Sequence, residues 1–372
     1  MKHISVLIKP ASSLCNLRCK YCFYADVSSL REVHSYGRMK KEDAEKMIKN
    51  IFSDLENGDE LTLAFQGGEP TLAGLKYYEN IVQLVKQQEK KVYVHYAIQT
   101  NGMLINFAWC KFFKENNFLV GLSIDGLPLY HNQNRVDVRG KGTFQKVLHT
   151  KRLFDKFEIE YNVLCVLTNQ LAKEATKVFH FLKNESIRFV QFIPCMDDLD
   201  AKGNSSYSLT PKNFSIFYRE LLQLWLNDLI SGHYISIKLF DDVVNLLVNK
   251  QITACGILGN CQIQYVIEAD GSVYPCDFYV LDEYRMGYIQ EETLRELFEK
   301  ESAVSFICAP RKLTDFCQNC ELKRICQGGC KRMKDVMYVD KENNICGYKE
   351  LLVELIPQIP LILNEMGKLT LC

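Results

Sequence analysis

The sequence predicts an α/β protein: a partial (β/α)6 barrel followed by a smaller cysteine-rich domain. Two observations carry this. The first two thirds alternate short apolar runs with longer amphipathic ones. Of sixteen cysteines, three stand together at Cys15, Cys19 and Cys22, and eight more gather at Cys255, Cys261, Cys276, Cys317, Cys320, Cys326, Cys330 and Cys346.

The strand-like runs are 5–9, 61–66, 92–99, 119–124, 160–167 and 189–193. Helical patterns fill 41–55, 75–88, 108–116, 144–157 and 172–184, with Ala44, Met47, Ile48, Ile51 and Phe52 at helical spacing. Five long crossovers between apolar strands call for a parallel sheet with helices outside. In such folds the chemistry sits at the C-terminal strand ends. Helices around 217–229 and 241–247 follow a polar loop at 197–208, expected over the barrel mouth. A boundary between 231 and 253 gives domains 1–235 and 236–372.

The first strand runs into Cys15-x3-Cys19-x2-Cys22. Three thiolates this close reach one iron–sulfur cluster, and a [4Fe–4S] cube normally takes four cysteines. One iron is left open for a ligand, as in a catalytic zinc site. A zinc knuckle is the plainer alternative, but no His or Cys follows until His34. The second strand ends in Gln66-Gly67-Gly68-Glu69-Pro70, where glycines let backbone approach a ligand. Read alone, this is a strand-to-helix turn with Pro70 near a helix start. The next strand ends lead into Gln99-Thr100-Asn101-Gly102 and Ser123-Ile124-Asp125-Gly126. Arg135 alone reads as a surface charge, and Met196 as core packing.

Towards the C-terminus, 264–268 and 272–274 form a hairpin with Asp270-Gly271 at its turn. It leads into Cys276-Asp277. Cys317-x2-Cys320-x5-Cys326-x3-Cys330 then reads as metal ligation, structural zinc being the alternative to iron–sulfur. Cys110, Cys165, Cys195, Cys308 and Cys372 remain; lone cysteines commonly act as small buried hydrophobes.

Lys+Arg and Asp+Glu both number 45, which argues against nucleic-acid binding through bulk charge. No run nears the roughly 20 apolar residues of a membrane span, and Met1-Lys2-His3-Ile4 lacks a signal-peptide core. A disulfide framework fits poorly with a reducing cytosol. The expectation is a cytoplasmic protein of an oxygen-poor setting.

The cysteine loop, with Tyr21 before its last cysteine, resembles the signature of radical S-adenosylmethionine (SAM) enzymes. The resemblance implies the partial barrel, Cys15, Cys19 and Cys22 as cluster ligands, and SAM on the open iron. It implies that Tyr21, Gly68, Ser123, Arg135 and Met196 contact SAM: Gly68 at its amino group, Ser123 and Arg135 at ribose or carboxylate, Met196 at adenine. The C-terminal array is similar to the SPASM extension, which holds two auxiliary [4Fe–4S] clusters. That implies Cys255, Cys261, Cys276 and Cys330 on one and Cys317, Cys320, Cys326 and Cys346 on the other, three clusters in all.

Blocks 7–13, 64–74 and 270–279 closely resemble anaerobic sulfatase-maturating enzymes. That family oxidises one Cys or Ser of a sulfatase Cys/Ser-x-Pro-x-Arg motif to Cα-formylglycine, with an electron donor such as flavodoxin or ferredoxin. A side-chain base cannot break an unactivated Cβ–H bond, so a cofactor radical must. The resemblance implies Asp277 as the base that takes the substrate thiol or hydroxyl proton; a turn cap or a partner of a nearby Lys or Arg is its plainer reading, and Tyr24 is the next candidate base. Two other readings share some of these features. A radical SAM enzyme that forms thioethers in, or epimerises, a ribosomal peptide would keep the barrel and clusters. The strand that follows Met1 so closely leaves no leader-recognition domain for it. An iron–sulfur electron carrier would need no SAM pocket.

Overall fold

The computed structural model describes residues 1–201, 205–310, 313–340 and 345–369. Cys372 and part of the 197–208 loop lie outside the described residues. Two compact units are interleaved along the chain. The first comprises Met1–Ser123, Arg135–Tyr161 and Gln262–Ala309; the second comprises Ile124–Asn134, Asn162–Cys261 and Pro310–Cys372. The segment Gln262–Ala309, expected within the domain 236–372, thus packs with the N-terminal strands.

In the first unit, β1 (His3–Ile8), β2 (Glu60–Phe65), β3 (Tyr93–Thr100) and β4 (Phe118–Ser123) run parallel. The register pairs Ile8 with Phe65 and Phe65 with Ile98. Alternate residues face the core, Val6 and Ile8 from β1, Leu61, Leu63 and Phe65 from β2. A short helix not expected from the sequence, α1 (Phe23–Ser29), starts directly after Cys22. The crossovers are α2 (Lys41–Ser53), α3 (Leu75–Lys86) and α4 (Phe107–Glu115). The apolar stripe of α2, Ala44, Met47, Ile48, Ile51 and Phe52, is buried as its spacing predicts.

The second unit contains α5 (Pro128–Asn134) and nearly all of β5 (Tyr161–Leu167), while α6 (Phe144–Phe157) belongs to the first. It continues with α7 (Ala175–Asn184), β6 (Phe189–Pro194), α8 (Pro211–Ile230) and β7 (Ser236–Ile237). β6 is parallel to β5 and to β7. Helix α8 starts earlier than the expected 217: Thr210 caps it by accepting the Asn213 N–H at 3.3 Å, and Pro211 occupies its first turn.

The hairpin forms as β8 (Val266–Ile267) and β9 (Ser272–Tyr274), with Gly271 at φ +84° in its turn. Its place is the surprise. β8 pairs in parallel with β1, Leu7 opposite Val266 and Ile8 opposite Ile267, and Lys9 N–H donates to Ile267 O at 2.8 Å. The next residue, Glu268, is fully buried. Its Oε1 meets Lys9 Nζ at 3.1 Å and Arg31 Nη1 at 2.7 Å. A buried cation pair of this kind requires its carboxylate, because an unpaired charge inside a protein is costly.

The turn after β2 backs onto the cysteine loop. Gly68 N–H donates to Ser12 O at 2.9 Å and Glu69 N–H to Leu14 O at 2.7 Å. A Cβ at position 68 would lie 2.2 Å from Leu14 O, so only glycine allows this approach.

Two outcomes follow for the fold. Glu268→Gln should destabilise the protein by about 3–5 kcal/mol in chemical denaturation, since Lys9 and Arg31 stay buried without their counter-charge. Burial by itself would lift the Glu268 carboxyl, but Lys9 and Arg31 hold it below its usual range. A depressed carboxylate stabilises above its unfolded-state value and stops doing so as pH falls through the lower folded value, so wild-type stability should drop below about pH 5. The Gln variant should show a shallower drop. Gly68→Ala should push the cysteine loop off its backbone seat and lower retained iron; full iron loading in that variant would mean the loop does not depend on this contact.

Candidate radical SAM site and auxiliary cluster sites

The cysteine loop is held from three sides within the first unit. Ser12 and Leu14 accept from the 68–69 turn, and Arg18 N–H donates to Val136 O at 2.7 Å. Asn101 Nδ2 donates to Asn16 Oδ1 at 2.8 Å and approaches Cys15 Sγ at 3.8 Å. Cys15 Sγ also accepts the Leu17 N–H at 3.4 Å. Burial pushes the Cys15 thiol up to about 11, against the pull of the Leu17 N–H and with Glu69 and Cys22 adding to the rise. Three thiols on one short loop, Cys15, Cys19 and Cys22, are the soft donor set that an iron–sulfur cluster takes.

Glu69 is the brace of this region, and sequence reasoning read it only as part of a glycine motif. One carboxylate, 1% exposed, accepts from Thr71 N–H at 3.1 Å, the Thr71 hydroxyl, Thr100 Oγ1 at 2.7 Å and Asn101 N–H at 2.8 Å. It thereby ties the ends of β2 and β3 together. Burial raises its pKa while these donors oppose the rise.

The residues expected at SAM divide between the units. Tyr21 is buried, with the Arg135 guanidinium carbon 5.6 Å from its ring centroid. Arg135 is thus a buried residue beside the cysteine loop, not a surface charge. Ser123 Oγ, at the end of β4, accepts from Gln99 Nε2 at 3.0 Å. Gly68 spends its N–H on Ser12, a positioning duty that the sequence did not reveal. Met196 is buried just past β6 in the second unit.

Asp277 follows β9 in the first unit and is buried. Its Oδ2 accepts from Tyr24 Oη at 2.6 Å and from Gln66 Nε2 at 3.2 Å, and Gln66 also donates to Tyr24 Oη at 2.5 Å. Its backbone N–H donates to Gln264 Oε1 at 3.1 Å. The other oxygen, Oδ1, is buried with no hydrogen-bond partner. Burial lifts the Asp277 carboxyl above its usual range, with Lys9 and the Tyr24 hydroxyl pulling it back. Lys9 Nζ also lies over the Tyr24 ring, 4.9 Å from its centroid. Tyr24 and Gln66, contributed by α1 and by the residue after β2, were not marked by their spacing as partners of Asp277.

In the second unit, Cys317, Cys320, Cys326 and Cys346 line one pocket. Burial pushes Cys346 up to about 12 and raises Cys326 too. Four thiols facing one largely apolar space fit a cluster. Cys255 and Cys330 line a second pocket, where a Cβ on Gly256 would stand 2.8 Å from Cys330 Cβ. Cys261 is half-buried in the second unit, whereas Cys276 lies in the first, directly before Asp277. Cys110, Cys165 and Cys195 are buried; Cys308 is exposed at the end of the helix Glu301–Cys308. Among the described residues, no three His, Cys, Asp or Glu converge to hold a single metal ion, and no helix is long and apolar enough to cross a membrane.

Residues 10–182 match the model of the radical SAM superfamily, and residues 255–321 match that of an iron–sulfur cluster-binding domain, SPASM. The chain is 43% identical to the cysteine-type anaerobic sulfatase-maturating enzyme of Clostridium novyi over 92% of each chain. It is also 43% identical to that of Clostridium perfringens, over 98% of this chain and 100% of the relative. The serine-type enzyme of Bacteroides thetaiotaomicron is 28% identical over 98% of this chain and 92% of its own. A solved structure, native anSMEcpe with bound AdoMet and Cp18Cys peptide, superposes with a TM-score of 0.89 at 40% identity, covering 98% of this chain and 99% of that one. The chain belongs to the anaerobic sulfatase-maturating enzymes, a family that joins a radical SAM domain to a SPASM domain.

Proposed function

We propose that this protein oxidises one cysteine side chain of a sulfatase polypeptide to Cα-formylglycine. The observation that carries the reading is the buried Asp277 carboxylate, fixed through Oδ2 and without a hydrogen-bond partner at Oδ1, in the same unit as the cysteine loop. Cysteine is the favoured target, since identity is 43% to cysteine-type relatives and 28% to a serine-type one. Formation of thioethers or epimerised residues in a ribosomal peptide remains the second reading in the superfamily, without a specific feature in its favour.

The cofactors are three [4Fe–4S] clusters and SAM; together they supply the hydrogen-abstracting chemistry that no side chain possesses. Cys15, Cys19 and Cys22 hold the first cluster. Cys317, Cys320, Cys326 and Cys346 hold one auxiliary cluster, and Cys255, Cys261, Cys276 and Cys330 the other. Tyr21, Gly68, Ser123, Arg135 and Met196 bind SAM, with the Arg135 fork suited to its carboxylate. Along the sequence the radical SAM part is 1–235 and the SPASM part 236–372, although the segment Gln262–Ala309 of the latter packs with the N-terminal strands.

Asp277 Oδ1 takes the substrate thiol proton. Tyr24 and Gln66 stop the carboxylate from turning, so the open oxygen keeps its aim. Burial makes this carboxylate a stronger base than an exposed aspartate. Deprotonating the sulfur lets the Cβ-centred substrate radical pass one electron to an auxiliary cluster, which the SPASM cysteines would hold, and become a thioaldehyde; water converts this to the aldehyde and releases hydrogen sulfide. The partner is a sulfatase segment with a Cys-x-Pro-x-Arg motif, and an electron donor such as flavodoxin or ferredoxin supplies the reducing electron. Cluster thiolates must stay reduced and unoxidised, which suits an anaerobic cytoplasm.

Anaerobic turnover of a Cys-x-Pro-x-Arg peptide, read by mass spectrometry, should give an aldehyde-reactive product of lower mass, and the Ser analogue should react more slowly. Asp277→Asn should keep its iron and still form 5′-deoxyadenosine, yet make little formylglycine. Normal formylglycine from that variant would move the base elsewhere, and Tyr24→Phe would be the next test.

A further inference from the structure

A tight turn of the first unit overlies the cysteine loop. Val136 bridges Gly142, Asp137 bridges Leu17, and Arg18 N–H donates to Val136 O at 2.7 Å. Inside the turn, Asp137 Oδ1 accepts the backbone N–H groups of Arg139 at 2.8 Å and Lys141 at 2.9 Å. Asp137 N–H closes the turn on Lys141 O at 2.9 Å. The tip, Gly140, sits at φ +76° with open space around it. Such a turn presents its side chains from a fixed frame.

What it presents is positive charge. Arg139 and Lys141 are exposed on the turn; Arg18 and Lys20 are exposed on the cysteine loop, on either side of Cys19. The Arg18 guanidinium donates to Cys15 O at 2.9 Å and Leu17 O at 2.8 Å, which lays it along that loop. These two segments thus carry four exposed cations and one carboxylate, Asp137, in a chain whose formal charge is zero. Val138, 63% exposed, and Leu14, 37% exposed, add apolar area on the same two segments.

We infer that the turn 136–142 and the cysteine loop form the docking surface for an acidic one-electron carrier protein. This rests on the reading that Cys15, Cys19 and Cys22 hold the first cluster. Each turnover takes in one electron there, and a reduced flavoprotein gives it up as its hydroquinone becomes the semiquinone. A cationic rim steers an acidic partner and sets its orientation. The same charge disfavours the substrate segment, whose motif carries an arginine.

The test uses the reconstituted, full-length protein with an acidic flavodoxin as probe. The dissociation constant is read by titration calorimetry at several NaCl concentrations. Arg139→Glu with Lys141→Glu should weaken binding about tenfold or more at low salt and flatten the salt dependence. Arg139→Lys with Lys141→Arg should bind as wild type does. Iron content and dithionite-driven 5′-deoxyadenosine formation should be unchanged in both variants. Equal affinity and equal salt dependence in the charge-reversed protein would overturn the inference. So would a loss that appears as a raised peptide KM under dithionite, which would assign the turn to substrate. Absence of dithionite-driven turnover in the wild type would instead count against the enzymatic reading, while the binding titration still decides the surface.

Discussion

The pairing of β8 with β1 is the constraint on which the first unit depends. It places Glu268 against Lys9 and Arg31, and it delivers Cys276 and Asp277 to Tyr24 and Gln66. Four charged groups become buried together: two cations, Lys9 and Arg31, and two carboxylates, Glu268 and Asp277. An ion pair removed from water contributes little net stability, but breaking it is costly, so its main effect is to exclude other arrangements. A register slip of β8 would separate Glu268 from its cations and turn its apolar residues outward.

The same charge balance serves chemistry. Lys9 lies between the two carboxylates electrostatically, bonded to Glu268 and lowering Asp277. Were Glu268 lost, Lys9 would be drawn toward Asp277, and the base would weaken as its charged form gained a closer partner. Stability and basicity are therefore coupled through one lysine at the end of β1. Glu69 plays the comparable part on the other side of the cysteine loop, where one carboxylate satisfies donors from two strand ends.

Much of this was legible in the sequence, and the limits were physical. Six strands stand within two residues of their predicted places because their apolar runs are long enough to show a period. The grouping of Cys317, Cys320, Cys326 and Cys346 is what the family resemblance implies, whereas spacing alone runs from Cys317 to Cys330; the four residues line one pocket. The hairpin turn was visible in Asp270-Gly271. Its pairing partner was not: β8 has two residues, too few to carry a periodic signal. The roles of Glu268, Arg31, Gln66 and Glu69 rest on contacts across long stretches of chain, with no local pattern. Helix α1 has only seven residues after a metal motif, too few for a periodic signal, whereas α8 begins at Thr210-Pro211, a helix-start signal ahead of its apolar stripe.

The central claim is that the chain takes hydrogen from Cβ of a target cysteine and leaves it as an aldehyde. The most direct measurement uses a Cys-x-Pro-x-Arg peptide with both Cβ hydrogens replaced by deuterium. After anaerobic turnover, one deuterium should appear in 5′-deoxyadenosine for each formylglycine formed, and one should remain on the aldehyde carbon. Unlabelled 5′-deoxyadenosine, with label appearing only from a Cα-deuterated peptide, would contradict the account and point to epimerisation.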